Sequence, residues 1–249
     1  MLLDAYPGAI QAYSVRKLRT AYSGSAIRVR RSSDNSELDI GFTSGNLDTA
    51  ALLGFVGNGG GDNGFVTTWY DQSGSGNNLT QTTAANQPKI VNAGAVIITN
   101  NSRPTFKFDG TNDVLDAASG VTMYNCIAVI NPFTAVDYEG FISASGGHIY
   151  IRSGGGTNFY GSGASVFPNY NTATYVNNNL TNTFTNSVLN LWLMGNIAPN
   201  VNPATLKVGT DPSGAYADMN CSEVIVYGSS QAANRTPINT EINAYYLIY

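Results

Sequence analysis

The chain has 249 residues with a net charge of -4 and a pI near 4.8, and only 11% of its residues are charged. A typical soluble domain carries about 25%, which excludes a disordered chain, a coiled coil or a nucleic-acid binder and argues against membrane-surface partners. With 43% hydrophobic residues and 27 glycines the sequence can build a core and must reverse direction often, which fits one all-β domain over residues 1–249.

The opening stretch, MLLDAYPGAI, has neither the basic segment nor the apolar run of a secretory signal. No apolar stretch approaches the ~20 residues of a membrane span. GAIQAYSVRKL (8–18) has apolar residues near helical spacing and predicts a helix. Six of the twelve basic residues crowd into positions 16–31 (Arg16, Lys17, Arg19, Arg28, Arg30, Arg31), and Asp34, Glu37 and Asp39 follow at once to neutralise them. LDTAALLGFV (47–56) predicts a short helix capped by Asn46 or Asp48.

From here short β-branched and aromatic runs alternate with Gly, Asn, Asp, Ser or Pro, the pattern of a sandwich. Strands are predicted at 26–30, 65–70, 89–91, 95–98, 104–108, 125–130, 140–144, 148–152, 189–194, 204–208 and 222–227. The segment 169–186 is rich in Asn and Thr and reads as a long exposed loop or an edge that touches a neighbouring subunit. Ile238, Ile242, Tyr245 and Tyr246 recur at helical spacing and predict a C-terminal helix packed on the sandwich.

Two cysteines, Cys126 and Cys221, each lie in an apolar strand. That pattern excludes a disulfide scaffold and a thiolate zinc site; free buried thiols are the expected state, with one bridge between neighbouring strands as the alternative. His148 is the sole histidine and falls in a strand-like alternation.

The turn chemistry is concentrated in two places. Trp69, Tyr70 and Asp71 end a strand and lead into SGSGNN, where Asp71 can accept backbone amides of the loop. Asp109-Gly110-Thr111-Asn112-Asp113 joins two strands in the same way, with a calcium ion on its oxygens as the alternative reading and no other cofactor or metal expected.

The stretch 65–91, with WYDQSG, and the stretch 103–117, with FDGTND, together resemble the concanavalin A-like jelly-roll superfamily. They are most similar to the catalytic domain of arabinofuranosidase B and to the phage and bacterial proteins that share it. Segments 4–35 and 206–230 and the terminal helix match in order. The resemblance implies an all-β concanavalin A-like jelly-roll sandwich with a few short helices. It also places Asp211, in VGTDPSG, where that family has its acid/base aspartate.

A retaining glycosidase needs a second carboxyl group about 5–5.5 Å away. None occurs between Glu139 and Asp211. Glu223, in SEVIVY, is the remaining partner for an enzymatic reading, and its structural reading is an ion pair with an N-terminal arginine. The resulting expectation is a non-enzymatic surface protein of a phage particle, a capsid decoration or fibre subunit that contacts other virion proteins. Cell-surface glycans would stack on Tyr150, Tyr160, Phe167 and Tyr170 around the Gly-rich stretch. Low surface charge and an Asn/Thr-rich edge predict self-association, most simply as a trimer. The alternatives are an arabinofuranosidase-like hydrolase and a secreted or intracellular lectin-like protein.

Overall fold

The computed structural model describes residues 1–57, 60–99, 101–133, 139–144, 151–153, 159–160, 174–181, 190–194, 205–211 and 214–249. Its strands are short and almost all antiparallel neighbours of one ladder. The N-terminal part contains β1 (Ala9–Ser14), β2 (Ile27–Arg31), β3 (Glu37–Ile40), β4 (Phe42–Thr43), β5 (Asn46–Leu47), β6 (Gly64–Trp69), β7 (Leu79–Thr80), β8 (Lys89–Asn92) and β9 (Ala95–Val96). The middle supplies β10 (Phe106–Asp109), β11 (Leu115–Ala117), β12 (Asn125–Pro132), β13 (Gly140–Ala144), β14 (Ile151–Ser153) and β15 (Phe159–Tyr160). The remainder adds β16 (Thr174–Val176), β17 (Asn179–Leu180), β18 (Asn190–Met194), β19 (Leu206–Val208) and β20 (Asp218–Tyr227).

The ladder forks at β6. Its first residues pair with β8 and its last with β7, while β2 and then β3 cover its other edge. One branch continues from β8 through β10, β20, β12, β18, β16 and β17. The other runs from β7 through β11, β19, β13, β14 and β15. Phe106 and Phe108 of β10 hold the branches face to face: Phe106 meets Trp69 edge-on at 4.6 Å between centroids, and Phe108 packs against Gly209 just beyond β19. A side chain at position 209 would collide with that ring, and its backbone has φ +100, so only glycine fits.

β20 is the spine of the first branch. β12 lies along one edge, and β1 and β10 lie end to end along the other. Nearly every residue of β20 is buried, and the C-terminal helix Arg235–Tyr246 adds Ile238, Ile242 and Tyr246 to the same core, the Tyr246 hydroxyl donating to the Ser222 carbonyl. β1 departs from the expectation drawn from sequence. Segment 8–18 is not a helix; Ala9–Ser14 is a strand whose last four residues are all buried, so its two faces are alike and the period of two disappears.

The helix at Thr49–Val56 forms as predicted, with the Asp48 carboxylate accepting the Ala51 N–H. The basic cluster is neutralised locally, Arg28 by Glu37 and Asp39 and Arg31 by Asp34. Both cysteines are free and buried. Burial pushes the Cys126 thiol up to about 12 and raises Cys221 further, so neither is a reactive thiolate. Within 169–186, residues 174–180 make a hairpin turned by Asn177 and Asn178, both at positive φ, and it pairs with β18. Among the described residues no helix is long and apolar enough to cross a membrane.

Candidate active site

Two crossovers between the branches bring the candidate residues together. The chain leaves β12 in the first branch and enters β13 in the second, with Glu139 immediately before the new strand. It returns from β19 to β20 through a loop that carries Asp211. The two crossovers are joined by backbone hydrogen bonds: Gly140 N–H donates to the Ala215 carbonyl and Gly209 N–H to the Phe141 carbonyl.

Gly140 is the point of contact. A Cβ at this position would lie 2.0 Å from the Asp211 nitrogen and 2.5 Å from its Cα. Adding the ~3.8 Å step between consecutive Cα atoms and a C–C bond of about 1.5 Å puts the Glu139 Cα at most about 8 Å from that of Asp211. Both carboxyl groups belong to buried residues.

Hydrogen bonds tie the described ends of the Asp211 loop together. The Asp211 carboxylate oxygen Oδ1 accepts the Ala215 N–H at 2.9 Å, and the Asp211 N–H donates to the Ala215 carbonyl. Thr210 closes the loop by donating its hydroxyl to the carbonyls of Asp211 and Ala215, and it bridges to Tyr216. Gly214, at φ +85, makes the turn.

A third acid lies in the same corner. The Asp113 backbone carbonyl packs on Gly209, two residues from Asp211. Burial, followed by the charge of Asp109, raises the Asp113 carboxyl to about 7. Asp113 accepts the Asp109 N–H, and Asp109 accepts those of Thr111 and Asn112, so the 109–113 segment is a hydrogen-bonded turn. Among the described residues no three His, Cys, Asp or Glu groups converge on a metal position.

Glu223 is elsewhere and differently engaged. Its carboxylate is fully buried and accepts Arg16 Nε at 2.8 Å, a second Arg16 nitrogen at 3.0 Å, the Ser14 hydroxyl at 2.7 Å and the Tyr246 hydroxyl at 3.2 Å. It sits five residues into β20 from Asp218, about 16 Å along the strand. The geometry therefore separates Glu223 from Asp211, whereas the backbone of Glu139, one residue before Gly140, passes within about 8 Å of it. The sequence reading searched for a partner between Glu139 and Asp211 and so stopped one residue short. The available signal was an acid directly before the Gly-led strand GFISA.

Asp71 holds its loop. It accepts the N–H groups of Ala12, Ser73 and Asn77 and the hydroxyls of Ser73 and Ser75, tying the loop to β1. Trp69 is buried between Tyr13 and Phe106, and the Tyr70 hydroxyl donates to Asp39. Tyr150, Phe167 and Tyr170 lie outside the described residues; Tyr160 is in β15, paired through its backbone with Arg152.

Residues 5–101 match the sequence family described as alpha-L-arabinofuranosidase B, catalytic. The match ends before Glu139 and Asp211. An arabinofuranosidase solved with arabinofuranosyl-alpha-1,2-xylobiose superposes with a TM-score of 0.66 over 98% of this chain, at 16% identity. A GH54 α-L-arabinofuranosidase soaked with a cyclic sulfate inhibitor gives 0.66 at 17% identity, again over 98% of the chain. This is the arabinofuranosidase catalytic-domain fold. The chain spans 64% of the length of each of those structures. A mutant of a GH54 α-L-arabinofuranosidase soaked with 4-nitrophenyl α-L-arabinofuranoside superposes at 0.64 with 15% identity, over the same shares. No curated protein matches the chain. These likenesses to the arabinofuranosidase fold carry no support for a phage origin.

Proposed function

We propose that this chain is a glycoside hydrolase of the arabinofuranosidase type, with Glu139 and Asp211 as its two carboxyl groups. The observation that carries the reading is the packing of Gly140 on Asp211, which brings the backbones of two buried acids within about 8 Å where both crossovers meet. Paired carboxyl groups on either side of a glycosidic bond are the working parts of nearly all glycosidases.

Glu139 acts as nucleophile on the anomeric carbon while Asp211 gives its proton to the departing oxygen. Asp211 then takes a proton from water, which releases the sugar from the Glu139 ester and restores both groups. The Ala215 amide on Oδ1 fixes the orientation of Asp211 throughout. The fold shared with arabinofuranosidases points to a terminal arabinofuranosyl group as substrate.

The test is release of 4-nitrophenol from 4-nitrophenyl α-L-arabinofuranoside by the purified chain. Turnover by the wild type that is lost in Glu139→Gln and in Asp211→Asn supports the reading. A folded wild type that binds the sugar without releasing 4-nitrophenol returns the chain to the glycan-binding surface protein expected from sequence.

A further inference from the structure

Away from the paired acids, a cavity of about 510 Å³ opens between the β4–β5 hairpin, the helix 49–56, the segment 94–104 and the C-terminal helix. Its walls are apolar along Leu47, Leu53, Val96, Ile98 and Pro104, and Ile98 is 52% exposed. Its volume is that of a small-ligand site.

The cavity is held open by hydrogen bonds between elements far apart in sequence. The Tyr245 hydroxyl donates to Asn46, Arg103 Nε donates to the Tyr245 carbonyl at 2.8 Å, and the Asn101 amide donates to the carbonyls of Tyr246 and Leu247. Arg103 also stacks on the Tyr245 ring, 4.3 Å from its centroid. The guanidinium is thus fixed in place. It is the only charged residue in the lining, and among the described residues no Asp or Glu oxygen comes within ion-pairing distance of it.

We infer that this cavity binds a small carboxylate carried on an apolar body, with Arg103 receiving the carboxylate and Leu53, Val96 and Ile98 receiving the body. A fixed, stacked guanidinium presents parallel N–H donors that match a carboxylate. Leu53, Val96 and Ile98 give the body an aliphatic seat beside the guanidinium, so this site is distinct in chemistry from the paired acids.

The probe is 3-phenylpropionate, compared with its uncharged amide and with glucuronate, each titrated into the full chain and read by calorimetry. The carboxylate should bind at least about tenfold more tightly than the amide and than glucuronate. Arg103→Gln should weaken it about tenfold, with a melting measurement to verify folding. Ile98→Glu, at an exposed position that leaves the fold intact, should abolish binding by placing a like charge in the cavity. Equal affinity for carboxylate and amide, preference for glucuronate, unchanged binding in Ile98→Glu, or no binding of 3-phenylpropionate by the wild type would each overturn the inference.

Discussion

Glu223 and Asp211 are both buried acids, one within β20 and one in the crossover loop that leads to it, and they are treated in opposite ways. Glu223 is closed in by Arg16, Ser14 and Tyr246, and Arg16 is in turn covered by the rings of Tyr245 and Tyr246. That arrangement joins β1, β20 and the C-terminal helix through one buried ion pair, and it leaves the carboxylate nothing further to do. Asp211 accepts a backbone N–H of its own loop and is pressed against the glycine that follows a second acid. A buried carboxylate locked by its own cation is a structural joint, whereas one brought near a second acid by two crossovers is the one we propose for chemistry.

The contrast is broken most severely at the paired acids. Glu139→Gln and Asp211→Asn should each lower turnover of the 4-nitrophenyl arabinofuranoside by about 10²–10⁴-fold while leaving the melting temperature nearly unchanged. Gly140→Ala should reproduce much of that loss without touching either acid, because the new methyl group requires the crossovers to separate. Retained turnover in Gly140→Ala would show that the close approach is not needed.

At the structural joint the effects should reverse. Glu223→Gln strands the Arg16 guanidinium in the interior and should cost about 3–5 kcal/mol in chemical denaturation. Turnover per folded molecule should stay within about twofold of the wild type. Asp71→Ala follows with a loss of about 1–3 kcal/mol, since three backbone N–H groups and two hydroxyls lose their acceptor. Unchanged stability with lost sugar binding would instead make Asp71 a ligand contact.

The pH response of Asp113 is a separate test, of the corner beside Gly209. Its carboxyl is raised to about 7 in the folded chain, so between about pH 4 and 7 the folded state holds a proton that the unfolded state has released. Stability from this group is therefore full below pH 4 and lost as pH rises toward 7. Denaturation curves of the wild type should show that decline, and Asp113→Asn should flatten it.

The sequence made most of the framework legible because its strands are β-branched runs between turn residues, as in NCIAVI and SEVIVY, and because Asp48 and the Ile238–Ile242 spacing mark their helices. It misled at Ala9–Ser14, where burial on both faces removes alternation. Strands of two or three residues such as β7 and β11 are too short to show any period. The Arg16 joint was half visible, since Glu223 and the basic cluster suggested an ion pair without naming its arginine. Glu139 was not visible as a site residue at all. Its approach to Asp211 depends on a glycine contact between two crossovers far apart in the chain, which an acid before a Gly-led strand hints at but does not specify.

The central claim is that Glu139 and Asp211 work as nucleophile and acid/base, and intact-protein mass spectrometry of Asp211→Asn tests it most directly. With 4-nitrophenyl α-L-arabinofuranoside the leaving group departs without a strong acid, whereas release of the sugar from the enzyme still needs the missing base. The account predicts that the protein gains the mass of one pentosyl group and that peptide mapping places it on Glu139. An adduct on another residue, or turnover in Asp211→Asn equal to that of the wild type, would contradict it.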